Sequence, residues 1–432
     1  MKKQFIFILC GLFLCAGTIA ATDYNVLQQG VVGDGKTLNT QSLQSAIDAL
    51  HAKGGGQLYF PAGRYLTGSL QLKSNVTLYL EKEAMLLGST SPYDYPGFST
   101  EKELKVNNDH FDQALIYAEG AENIGITGEG CIDGQGRELA LTIDSLHHTG
   151  ELVDKHYNTY RKRPNTRPKL LFMRNCRKVE LRKTNFRSGA AWGLSFSLCV
   201  DLTIDSLHVE NRAYWNNDGI DISDCKDVRI SNCFINSADD GICLKSHNRG
   251  AWNDRVSISN CHIISSASAI KFGTESLGGF KNVIIDNIRI KDTFRSAIAI
   301  ESVNGAEIEN VKLENIEIVC PGRATRGMAY MSVSRLKDVP ENEKGYPEFT
   351  MFEELPSWGF YVRHVKGIQM HNVKLRLQED DFRPAFVFDR VSDVRLSDIS
   401  LPENKKAGQV VLRQTSLQSA DNAVKEYVRE VE

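Results

Sequence analysis

The chain reads as an all-β, single-stranded right-handed parallel β-helix with a short N-terminal capping helix. Three observations carry that reading: a phrase that recurs every two to three dozen residues, short β-branched runs between polar turns, and no run of helical period long enough for an α-solenoid. Ile230-Ser231-Asn232-Cys233 returns as Ile258-Ser259-Asn260-Cys261, with weaker echoes at Ile285-Asp286-Asn287 and Ile308-Glu309-Asn310. The four asparagines are 28, 27 and 23 residues apart. Short strands that cannot bury a face alone must stack on their neighbours, and one asparagine per coil suggests a ladder at a left-handed bend.

The elements follow in chain order. Lys2 and Lys3, the apolar run Phe5 to Leu14 and the small-residue site Thr18-Ile19-Ala20 read as a signal peptide over residues 1–20. The run is too short to span a membrane, and bulky Leu14 before Cys15 argues against a lipid anchor. The expectation is a periplasmic or secreted protein. Residues 21–432 then form one domain, because elongated repeat folds escape the usual size limit. Thr40 to Ala52 places Leu43, Ala46, Ile47 and Leu50 at helical spacing, as a plug for the open end of the core. Gly54-Gly55-Gly56 lacks a following Lys-Ser/Thr and reads as a turn rather than a phosphate loop. Residues 97–115, 137–168 and 321–360 read as insertions, which in repeat folds often build the binding face.

Composition narrows the function. A formal net charge of −3 without basic blocks gives no case for nucleic acid. Eight cysteines lie beyond the leader with no CxxC pair among them, which argues against zinc and leaves core thiols or disulfides open.

Alternating apolar pairs align four successive coils: Ile220 and Ile222, Ile242 and Leu244, Ile270 and Phe272, Ile298 and Ile300. If these point inward, the outward columns read Asp221, Cys243, Lys271, Ala299, and Ser223, Lys245, Gly273, Glu301. The strand-edge column reads Asp218, Asp240, Ser268, Ser296. Asp218 and Asp240 thus fall on adjacent coils, about 4.8 Å apart in the backbone, with Asp239 beside them. Carboxyls so close cannot all ionise cheaply. One protonated acid beside ionised ones is what glycosidic cleavage needs: a proton for the leaving oxygen and a base for water. Asp224, Asp227, Asp254 and Asp286 read instead as turn residues. Calcium is the other use of an acid cluster, and the adjacent lysines make a cation less welcome.

Asn216-Asn217-Asp218-Gly219-Ile220-Asp221 followed by Asp239-Asp240-Gly241-Ile242 resembles the polygalacturonases of glycoside hydrolase family 28. Phe60-Pro61-Ala62-Gly63 and Ile132-Asp133-Gly134-Gln135-Gly136 look like further landmarks of the family, and the stretch from Tyr346 through Arg363-His364 to Arg383-Pro384 looks like its bacterial pectin-degrading subgroup. The resemblance implies inverting hydrolysis of an acidic plant cell-wall polysaccharide by a monomer, without metal or cofactor. It implies Asp239 as general acid, with Asp218 and Asp240 activating water. Two motifs depart from the family. Its Gly-His-Gly falls at Ala267-Ser268-Ala269, and its carboxylate-gripping Arg-Ile-Lys falls at Ala299-Ile300-Glu301. Substrate contacts are therefore expected from Asn216, Asn217, Asp221, Lys245, Lys271, Glu301, Arg363 and His364, with Lys271 and Lys245 replacing the lost clamp. Two other classes stay open: a polysaccharide lyase on the same fold, and a non-catalytic carbohydrate-binding surface protein.

Overall fold

A computed structural model describes residues 22–96, 113–153, 167–303, 305–324, 333–339, 355–402 and 408–432. The leader at 1–20 and most of the first insertion lie outside the described residues. Parallel strands stack coil on coil into one sheet of 20 strands and another of 12, enclosing a continuous apolar core. The chain is a right-handed parallel β-helix.

Alternation explains the core. On the 12-stranded sheet, Ile222, Leu244, Phe272, Ile300, Val362, Phe388 and Leu412 fall in register on successive coils, and all are buried. The ring centroids of Phe360 and Phe386 are 4.8 Å apart and nearly coplanar in orientation, so aromatics stack along the axis as the strands do.

The other sheet turns a corner inside single strands. Asn253–Ser265, Phe280–Lys291, Ile308–Cys320 and Val365–Leu377 bend at Asn260, Asn287, Asn315 and Asn372, all left-handed with φ between 51° and 54°. The Asn287 amide donates to Asn260 Oδ1 at 2.7 Å, and Asn372 to Asn315 Oδ1 at 2.7 Å. The ladder exists, but Asn310 is not its member after Asn287. Asp286 pairs with Glu314, so Asn315 follows Asn287, and Asn310 belongs to a second column where its amide meets Asn282 at 3.3 Å. The spacing of 23 residues was a step between two ladders.

Helix α1 (Thr40–Ala52) buries Leu43, Ala46, Ile47 and Leu50 against the first coils. The second insertion is less irregular than expected: Gly136–His148 forms a helix, α2, that buries Leu139, Ala140 and Ile143. From the third, a 3₁₀ turn over Val333–Asp338 is described. Its Leu336, with Val339 and Leu355, packs on Ala299, Tyr361, Val387 and Val411, so this insertion covers the outer face of the coils after the acids. All eight described cysteines are free thiols. Cys199 and Cys225 stand on adjacent coils, with the Cys199 N–H 3.3 Å from the Cys225 sulfur.

Candidate active site

Four strands of the 12-stranded sheet present the site: β1 (Ile220–Ser223), β2 (Ile242–Ser246), β3 (Ile270–Ser276) and β4 (Ile298–Glu301). Their register sets Asp221, Cys243, Lys271 and Ala299 side by side on the outer face. One residue before β1 and β2, Gly219 and Gly241 let the coils press together. A side chain at Gly219 would meet Gly241 O at 2.5 Å, and one at Gly241 would meet Ala269 O at 2.5 Å. The Asp-Gly pairs therefore place carboxyls at the tightest points between coils.

Three acids and two lysines interlock there. Lys245 Nζ donates to Asp221 Oδ1 at 2.6 Å and to Asp218 Oδ2 at 3.0 Å, and lies 3.7 Å from the centre of the Trp192 ring. Lys271 Nζ, with no exposure, donates to Asp240 Oδ2 at 3.1 Å. The other Asp240 oxygen accepts the Ser268 N–H at 3.1 Å. Asp218 and Asp240 are themselves 3% and 2% exposed, while Asp239 is half-buried.

Their proton affinities diverge. Burial drives the Asp218 carboxyl well above the ordinary range; Lys245 opposes this, and the Asp221, Asp239 and Asp240 charges add to it. At Asp240 burial also pushes upward, but Lys271, Arg295 and Lys245 together with the Ser268 N–H outweigh it and hold the carboxyl low. Lys245 stays protonated because Asp218 and Asp221 outweigh its own burial. Asp221 is the closer of the two carboxylates that Lys245 binds.

The other expected contacts fall into different places. Asn217 is fully buried and ties the turn together: its amide donates to Gly189 O at 2.9 Å and Ala191 O at 2.7 Å, and its oxygen accepts the Tyr214 N–H. Asn216, left-handed at φ 53°, accepts from Arg167 at 3.1 Å. Asp221 is bound by Lys245 and by the Ser195 hydroxyl at 3.3 Å. Lys245 and Lys271 are turned onto the acids rather than outward, a different arrangement from the expected clamp. Glu301 and Arg363 are fully buried and in register. Arg363 Nε lies 3.6 Å from Asp389, which also binds Arg413 at 2.7 Å, so these residues form a row of alternating charge on later coils. His364 sits past the far end of its strand, in a surface groove with Glu307, Glu309, Lys366 and Arg390. Asp224 does serve its turn, accepting the His247 and Asn248 N–H groups at 3.0 and 3.1 Å. Sequence columns missed Trp192, whose role depends on a lysine two coils away, and Arg295, whose charge reaches Asp240.

A parallel β-helix with acids of split proton affinity in one outward row defines the class. Residues 56–320 match the model of glycosyl hydrolases family 28, and residues 24–87 match a model described as rhamnogalacturonase A/epimerase, pectate lyase-like. The chain belongs to glycosyl hydrolase family 28. It is 30% identical over 299 residues to a probable polygalacturonase of Vitis vinifera, covering 65% of this chain and 55% of that one. It is 27% identical over 248 residues to an exo-poly-alpha-D-galacturonosidase of Dickeya chrysanthemi, covering 50% and 41%. The chain thus spans about half the length of the curated relatives it matches. The solved family 28 exopolygalacturonase of Yersinia enterocolitica superposes with a TM-score of 0.63 at 21% identity, over 95% of this chain and 77% of that one. The polygalacturonase of Erwinia carotovora gives 0.61 at 17% identity, over 93% and 96%. Among the described residues no helix is long and apolar enough to cross a membrane.

Proposed function

We propose that this chain is an inverting glycoside hydrolase that cuts pectic polysaccharide or oligosaccharide of the galacturonan or rhamnogalacturonan type. The observation that carries it is the gathering of Asp218, Asp239 and Asp240 on adjacent coils, with lysine ammonium groups on Asp218 and Asp240. Half-buried Asp239 protonates the leaving oxygen. Asp218 and Asp240 activate the attacking water, and Asp240, held ionised by Lys271, takes up the proton that water sheds. The named relatives support the substrate class, and the leader-like first 20 residues support export.

The competing classes fit the site less well. Lysine ammonium groups 2.6–3.1 Å from Asp221, Asp218 and Asp240 stand where a calcium ion would need those oxygens. A lyase would need a basic residue to abstract a proton, and Lys245 is held protonated. The test is incubation with a panel of pectic oligosaccharides, reading product masses, ultraviolet absorbance and the anomer first released. Saturated products of inverted configuration are expected, and Asp239→Asn should cut turnover by about 10²-fold or more. Unsaturated products, or near-full activity in both Asp239→Asn and Asp218→Asn, would reject the assignment.

A further inference from the structure

The turn that leads into the first acid is longer than the one on the next coil. Asn211 pairs with Ser237 and Ile220 with Ile242, so Asp218 and Asp240 hold equivalent places. Six residues separate Asn211 from Asp218, whereas two separate Ser237 from Asp240. The four extra residues make a loop at the entrance to β1, and side chains fasten it from both sides. Arg167, itself buried, donates through Nη1 to Ala190 O at 2.7 Å and to Trp215 O, and through Nη2 to Asn216 Oδ1 at 3.1 Å. Its guanidinium carbon lies 5.3 Å from the centre of the Tyr214 ring. Arg212 reaches across the next two coils, to Asn236 Oδ1 at 2.9 Å, Ser237 O at 2.7 Å and Ser266 Oγ at 2.7 Å. The Asn211 amide donates to Asp218 O at 2.8 Å. Within this fastened loop the side chain of Trp215 is 63% exposed.

We propose that Trp215 is an aromatic platform for a sugar ring of the substrate that lies beyond the two rings flanking the cleaved bond. This rests on the hydrolase reading above. Three Cα steps of about 3.8 Å keep Trp215 within about 11 Å of Asp218, so a chain cut at the acids passes within its reach. An indole left in water adds nothing to the core, yet the backbone that carries it is held by two arginines. A ring presented on a fixed loop is in place before the ligand arrives, and little conformational freedom is lost when it binds. The C–H face of a sugar is apolar, and a flat indole covers it without regard to charge. The other end of the face supports the same side for the chain. Beyond Lys271 the outward column continues as Ala299 and Tyr361, which lie under Leu336, Val339 and Leu355. A chain lying along the axis therefore extends on the Asp218 side, where Trp215 stands.

Binding is measured on the Asp239→Asn background, so that substrate survives, with a galacturonate dimer, a hexamer and the carboxyl-reduced hexamer. Adding Trp215→Ala should weaken both hexamers alike, by about 3- to 10-fold, the range of one aromatic stacking contact. The dimer, whose two rings flank the cleaved bond, should lose less than about twofold. Trp215→Phe should restore part of the hexamer affinity. Tryptophan emission should shift when hexamer is added, and shift less in Trp215→Ala. The midpoint of denaturant unfolding should stay where it is, since the indole is already in water. An unchanged hexamer affinity in Trp215→Ala, or equal losses on dimer and hexamer, would overturn the platform. A wild type that neither binds nor cuts the hexamer removes the pectic reading and the platform together. One that cuts it, while Trp215→Ala binds as before, removes the platform alone.

Discussion

At the residue scale the site is a charge balance. Asp218 and Asp221 both accept from the Lys245 ammonium and Asp240 accepts from Lys271, so three carboxylates share two buried cations. Lys271 stands one coil beyond Asp240, where the family's missing histidine would have been a neighbour, and its ammonium holds that carboxyl low. Lys271→Gln should raise the Asp240 carboxyl, moving the acidic limb of kcat/KM upward by about 1–3 pH units. The sign also applies to stability. A carboxyl held low in the folded state contributes stability above the unfolded value near 3.8, and that contribution is lost as pH falls through the folded value. The wild type should therefore lose more stability than Lys271→Gln on acidification, measured by denaturant midpoints at several pH values. The acids and lysines were legible in sequence because strand alternation assigns columns. Their partners were not: a four-carbon stem reaches across coils, and no alternation rule says whether it turns out to substrate or in to a carboxylate.

At the scale of the element, the turn before β1 is held by one side chain. Asn217 satisfies two carbonyls and one N–H in a place sealed from water. Asn217→Ala strands those groups, and each buried unsatisfied group costs about 1–3 kcal/mol. The midpoint of denaturant unfolding should fall accordingly, and kcat should fall with it, since Asp218 is the next residue. A loss of substrate affinity without loss of stability would instead make Asn217 a ligand contact. The Asn-Asn-Asp motif places its residues beside the acids, but motif letters carry no distinction between an amide that touches substrate and one that ties a loop. The asparagine ladder shows the same limit: Asn310 and Asn315 both follow the phrase, and only the sheet register tells which stands under Asn287.

Over the whole molecule, each coil touches its neighbours and little else, so stability is local along the axis. Ile47, fully buried in α1, closes the first coils. Ile47→Ala should cost about 2–5 kcal/mol at that end. Hydrogen exchange should quicken in the strands Gly56–Phe60 and Val76–Leu80 while β4 stays protected. Uniform acceleration would show one cooperative unit. The solenoid and its plug were legible because two periods, strand and helix, separate cleanly in the sequence. The helix α2 was not, since its buried Leu139, Ala140 and Ile143 are a short stripe in a polar stretch.

The stacked register also works as a ruler. Residues in one outer column stand a whole number of coil steps apart: Asp218 to Asp240 is one, Asp221 to Lys271 two. A substitution within a column changes what a graduation reads without moving the scale. A new specificity can thus appear by exchanging one mark for another, as lysine stands at 271 and alanine at 299. Lengthening a turn alters what covers the marks but not the distance between them. Such a surface can be re-lettered for a different sugar sequence while the spacing between its acids stays fixed by the backbone.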